Sequence, residues 1–348
     1  MKNLWFYSVL LVLILVGCVD EIDLNVNTEQ RTLVVDGIVT DVENNFTLSL
    51  SQSSVIGVGR DNILDPVSGA RVQLMDDQGG VFLYEEVESG AYELSSFMAQ
   101  RNVAYYIDII LSDGQHFQSK PSFLRSNSEI DGVSFEVEEQ TFRNNLGEFV
   151  TQEVISVNLE TNIPTSQEAP YLRWRVIGEY ALTENYRDAI SPRTCYIKNT
   201  LDLNDIRILD ATQLNDGRIF GQTISQAEYD FKFAELYCFH IQQYSISEEE
   251  YTYWSNIKEV IDISGGLFDP PPGTIVGNIF NVDDPSINVV GYFSVSSETF
   301  SRQFVNGGSI DNLVQPYCVF GFNKEPPFGC TDCREFRDSN LEKPEYWP

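Results

Sequence analysis

The chain has 348 residues, 42% of them hydrophobic, with 22 Lys and Arg against 52 Asp and Glu and a net charge of −30. That length supplies cores for two domains. The charge excludes a nucleic-acid binder and sets the surface against anionic membranes. The acids are scattered rather than blocked, which describes a solvated, self-repelling surface. Seventeen Tyr and 22 Phe favour strands.

Met1 to Gly17 carries one early cation, Lys2, and then an apolar run. The run falls short of the roughly 20 apolar residues that span a bilayer. A basic start, an apolar centre and a small residue at the end read as a secretory signal. Leu15-Val16-Gly17-Cys18 resembles a bacterial lipobox, which implies cleavage before Cys18 and lipidation of its thiol. Several acyl chains on Cys18 would hold the protein at a membrane, where one chain alone binds marginally. Asp20, Glu21 and Asp23 follow at once and resemble the export signal of surface lipoproteins in Bacteroidota.

Residues 18–31 read as anchor and tether. Strand patterns then run through residues 32–125. They include Thr32 to Val39, Phe46 to Ser53, and the alternation of Val72 and Leu74 against Arg71 and Gln73. Ala104 to Ser119 reads as a hairpin about Asp113-Gly114. Short strands with turns every 8 to 12 residues predict a β-sandwich, Ig-like or carboxypeptidase-regulatory-like.

Pro121 to Asp131 reads as a linker into a second β-rich domain, residues 126–348. Its strands begin at Val133 and include Glu153 to Asn162 and Tyr171 to Leu182. Alternation puts Leu172, Trp174 and Val176 on a core face and Arg173 and Arg175 on the other, where they meet buried acids or a ligand. One amphipathic helix is predicted over 248–262. Ser247 caps it, Glu250 completes a capping box, and Tyr251, Trp254, Ile257 and Ile261 form its apolar stripe. The Phe268-Asp269-Pro270-Pro271 loop follows. Thr274 to Asn281, Asn288 to Ser297 and Phe300 to Asn306 read as closing strands, the last two as separate ones.

Cys195, Cys238, Cys318, Cys330 and Cys333 are candidate disulfide cysteines, and five thiols allow fifteen two-bridge arrangements. Cys330 and Cys333 form a C-x-x-C, but no second such pair completes a zinc site. Cys238 and His240 share a strand face. They read as a core cysteine beside an ordinary histidine, with a nucleophilic pair the sharper alternative. His116, after the hairpin turn, reads as exposed. There is no H-E-x-x-H, G-x-S-x-G, Walker or Rossmann pattern, so the chain reads as a non-enzyme without cofactor or metal.

The stretches "YLRWRVIGEY", Gln242 to Asn278, "VVGYFSVSS" and the closing "CTDC" to "KPEYWP" resemble a Bacteroidota lipoprotein family known as a domain of unknown function, number 4249 in its series. That resemblance implies an outer-membrane lipoprotein, commonly encoded beside a TonB-dependent receptor, and carries over no catalytic residues. The leading expectation is a lipid-anchored transporter accessory that captures a nutrient or ligand. Phe268, Pro270, Pro271, Tyr346 and Trp347 are its candidate partner surface. A structural or adhesive surface protein is the alternative, and an unrecognised hydrolase the third.

Overall fold

A computed structural model of the chain describes residues 31–53, 64–143, 148–163, 170–184, 191–201, 205–212, 214, 217–262, 275–309, 314–319 and 325–348. In chain order the first strands are β1 (Leu33–Thr40), β2 (Asn44–Gln52), β3 (Asp65–Pro66), β4 (Arg71–Asp76), β5 (Val81–Leu83), β6 (Glu85–Glu88) and β7 (Ala91–Phe97). β8 (Ala104–Ile110), β9 (His116–Ser119), β10 (Ser122–Phe123), β11 (Glu129–Arg143), β12 (Phe149–Asn162) and β13 (Tyr171–Thr183) follow. Then come β14 (Thr194–Thr200), β15 (Arg207–Asp210), β16 (Arg218–Glu228), β17 (Leu236–Ile246) and the helix α1 (Glu248–Asp262). β18 (Ile279–Asn281), β19 (Val289–Asn306) and β20 (Ser339–Asn340) close the chain. The fold is mainly β with a single α-helix among the described residues, as the patterning predicts.

Two sheets face one another around the first core. β1, β2 and β7 contribute Val35, Leu48 and Tyr92, while β4, β8 and β9 contribute Leu74, Ile107 and Phe117, all buried. The period-two alternation of these strands drives that burial. The sandwich is not closed by residues 32–125 alone. β18 pairs antiparallel with β9, and the first half of β19 pairs parallel with β1, from Leu33–Val289 to Thr40–Ser296. Ile279, Phe293 and Val295 complete the core.

β19 also corrects the reading of two closing strands. It runs unbroken for 18 residues, its first half against β1 and its second half against β17. Ser296 to Thr299 look like a turn in sequence, yet the backbone stays in a ladder throughout, Ser296 with β1 and Ser297 to Thr299 with β17. One 11-stranded sheet, counted among the described residues, therefore passes through both halves of the chain in the order β20-β14-β13-β17-β19-β1-β2-β7-β6. Gly291 makes the junction possible. Its φ of +121° suits glycine alone, and a Cβ there would sit 1.8 Å from the Val35 carbonyl oxygen.

The second core lies between the β13–β17 part of this sheet and a three-stranded sheet of β11, β12 and β16. Leu172, Trp174, Tyr237 and Ile241 meet Ile155, Val157 and Leu159 there. Inside it Gln243 accepts from Thr161 Oγ1 (2.7 Å) and Trp174 Nε1 (2.9 Å) and donates to the Ser128 carbonyl (2.9 Å). That buried amide ties the segment entering β11 to the large sheet.

Candidate functional site

The outward face of the large sheet carries the polar residues that alternate with the second core. Along β13 these are Arg173, Arg175, Ile177 and Glu179. The register sets Tyr244, Gln242, His240 and Cys238 of β17 beside them, and Glu298, Phe300, Arg302 and Phe304 of β19 beyond. Two segments cover this face from opposite ends, the helix α1 and the C-terminal tail.

Ser247 caps α1, its Oγ accepting from the Glu250 amide at 3.1 Å. The reciprocal half of the capping box does not form. Glu250 turns into the protein, where Oε2 accepts from Ser294 Oγ (2.7 Å) and Oε1 from Trp254 Nε1 (3.3 Å), with Arg173 Nη1 3.9 Å away. Burial raises the Glu250 carboxyl above its ordinary range, and Arg173 and Ser294 offset only part of that. Arg173 lies flat on Trp254, its Cζ 3.7 Å from the ring centroid. Tyr253 is the buried aromatic of the helix. The stripe of Tyr251, Trp254 and Ile257 is only half-buried, and Ile261 is exposed.

That stripe is incompletely covered because it overhangs a cavity of about 490 Å³. The cavity sits where the neighbour of β13 changes from β15, beside Tyr171 to Trp174, to β14, beside Ile177 to Thr183. Arg173, Arg175, Lys198, Arg207 and Asp36 line it with the Trp254 ring, and Leu201, Ile257 and Ile261 add apolar wall. Arg207 is paired with Asp205 at 2.5 Å. Arg173 has met its buried acid, as the alternation allowed. Arg175 and Lys198 are exposed and form no close ion pair among the described residues, although the charge of Lys198 helps hold the Glu179 carboxyl down.

The tail covers the other end of the face. Trp347 is 7% exposed and packs edge-on against Tyr196 and Phe304. Tyr346 donates to Glu179 Oε2 at 2.5 Å, and His240 Nε2 lies 3.0 Å from the same oxygen. Burial alone would raise the Glu179 carboxyl, but the bonds from His240 and Tyr346 outweigh it and hold the group below the ordinary range. Arg302 stacks on Tyr346, 4.0 Å from its centroid. Trp347 is thus buried on the sheet rather than held outward, and Tyr346 is half-buried beside it. The sheet that would have been left bare by their absence is their binding site. The remaining three candidates, Phe268, Pro270 and Pro271, lie outside the described residues, as does Cys18.

Two disulfides fix the tail and the loop before it: Cys195–Cys333 and Cys318–Cys330. Beside the first, Glu184 accepts from Arg193 Nε (3.0 Å) and the Cys333 amide (2.9 Å). Cys238 is not a disulfide cysteine. It is a buried free thiol packed with Ala181 and Trp347, its pKa pushed up to about 12 by burial. A thiol so disfavoured as thiolate is a poor nucleophile. His240 is committed to Glu179, so the two do not make a Cys-His pair. His116 is half-buried rather than exposed, with Nε2 2.6 Å from the buried Asp108.

A second surface was invisible in the sequence. β11 and β12 pair as far as Arg143–Phe149, whereas β16 covers β12 only from Val154 onward. Beyond that point the two strands form a bare ribbon. Phe142 and Val150 sit opposite one another on one side and Phe149 on the other, and Phe149 is 80% exposed. One face of the ribbon's end is apolar, and on the other Phe149 stands next to the Thr141–Thr151 pair.

Residues 19–302 match the family model described as Domain of unknown function (DUF4249), and the chain belongs to that family. No curated protein shows significant similarity to it.

Proposed function

We propose that this chain is a lipid-anchored accessory of an outer-membrane TonB-dependent transporter, acting at the cell surface by binding rather than by catalysis. Cys18 is its acylated residue, and the acidic residues Asp20, Glu21 and Asp23 favour surface display. A tether over 18–31 reaches at most about 45 Å at roughly 3.3 Å per residue, which keeps the β-rich body near the barrel mouth.

The observation that carries the partnership is the end of the β11–β12 ribbon. Protein interfaces draw most of their affinity from a few aromatic anchors seated in the partner. Phe142, Phe149 and Val150 are large apolar side chains held out on a two-stranded arm that buries them nowhere else. Solvent exposure of that kind is costly unless a partner covers it.

Affinity purification of the tagged chain from its native envelope in mild detergent, with mass spectrometry of the co-purifying proteins, tests this. A TonB-dependent barrel in stoichiometric amount is expected. A lipoprotein that comes away alone contradicts the reading.

A further inference from the structure

We infer that the cavity between α1 and the large sheet binds a small acidic molecule, through Arg175 and Lys198 acting on its oxyanion groups. The inference rests on the capture role proposed above and names the chemical class of the cargo.

The chain carries 52 acids against 22 cations, so an exposed cation has abundant opportunity for a carboxylate partner. Four cations nevertheless converge on one cavity, which Asp36, Asp205 and Asp338 also line; Arg175 forms no close ion pair there among the described residues, and Lys198 faces only the charge of Glu179. Arg173 and Arg207, whose charges are answered by Glu250 and Asp205, form the fixed wall behind them. Arg173 is held rigid between the Trp254 ring and Glu250, so its position costs a ligand little ordering. Ile257, Ile261 and Leu201 offer an apolar side for the body of the ligand. Charged groups beside an apolar side, in a cavity of this volume, suit a small polar molecule with an apolar body.

The guanidinium fork of Arg175 matches a carboxylate or a phosphate equally in geometry. The shared chemistry is therefore an oxyanion, with the lysine as a point charge beside it. The long-range field of so acidic a protein opposes an approaching anion. That field is screened within about 8 Å at physiological ionic strength, so at contact the cavity's own cations dominate.

The test is calorimetric titration of the purified full-length mature protein in mild detergent with citrate, inorganic phosphate and, as a neutral control, maltose. Binding of citrate, of phosphate or of both, with none of maltose, is expected. Citrate alone marks a carboxylate cargo and phosphate alone a phosphorylated one. Arg175→Ala and Lys198→Ala should each weaken binding about tenfold, as loss of one charge-assisted contact does. The double variant should lose it. Arg302→Ala, which removes a cation outside the cavity, should bind as the parent does. Both cavity positions are exposed, so matching thermal unfolding curves will verify that the variants fold. No binding of either anion, binding unchanged in the double variant, or an equal loss in Arg302→Ala overturns the inference. Because the titration needs no barrel, failure here is distinct from failure of the transporter partnership.

Discussion

The C-terminal tail and the β11–β12 ribbon are both aromatic extremities, and the fold treats them oppositely. The tail is drawn in. Trp347 is buried against Tyr196 and Phe304, Tyr346 is bonded to Glu179, and Cys333 is bridged to Cys195. The ribbon is sent out, with Phe142, Phe149 and Val150 exposed beyond the last residue that β16 covers. Aromatic content does not distinguish the two. The difference lies in what faces them: the tail finds an uncovered sheet face, and the ribbon has outrun its sheet. The aromatic residues of the terminus are thus packed into the fold, while those at the ribbon end stay exposed.

If that contrast is right, substitutions in the tail lower stability and substitutions in the ribbon leave it alone. The largest effect belongs to the Cys195–Cys333 bridge, which spans 138 residues. Replacing both cysteines by serine should cost about 4 kcal/mol in urea unfolding, from the loop entropy the bridge removes in the unfolded chain. Trp347→Ala follows, at about 3 kcal/mol for loss of a buried indole. Glu179→Gln should cost about 1 to 2 kcal/mol at pH 7, since it weakens the bonds from Tyr346 and His240. Glu179 is held below its unfolded value, so its contribution is full above the ordinary carboxylate pKa and disappears as pH falls through the folded one. Urea curves of parent and Glu179→Gln should therefore converge on acidification below about pH 4. A gap that widened in acid would contradict the proposed clamp. Smallest in stability is Phe149→Ser, expected within about 0.5 kcal/mol of the parent. That variant should nonetheless lose its co-purifying partner, and this separates the two regions.

Much of the architecture is legible in the sequence where one local rule acts alone. The alternation of Val72 and Leu74, the hairpin at Asp113-Gly114 and the bounds of α1 at 248 and 262 each follow from a single periodicity or cap. Legibility fails where a residue answers to a distant element. Glu250 satisfies the capping-box pattern, but a half-buried arginine and a serine from β19 claim its carboxylate. β19 reads as two strands because nothing local reveals that β1 and β17 will take its two halves. The cavity had one visible sign, the cations at 173 and 175 on an outward strand face. Lys198 and Arg207 join them only through the pairing of β13 with β14 and β15. The ribbon end is equally non-local, since its exposure depends on where β16 stops.

The most direct test of the account places a photo-activatable phenylalanine analogue at position 149, and separately at position 346, in cells carrying the native envelope. The account predicts a single large adduct from position 149, containing a TonB-dependent barrel, and no intermolecular adduct from position 346. No adduct from 149 with the anchored protein displayed at the surface, or the same adduct from both positions, would contradict it.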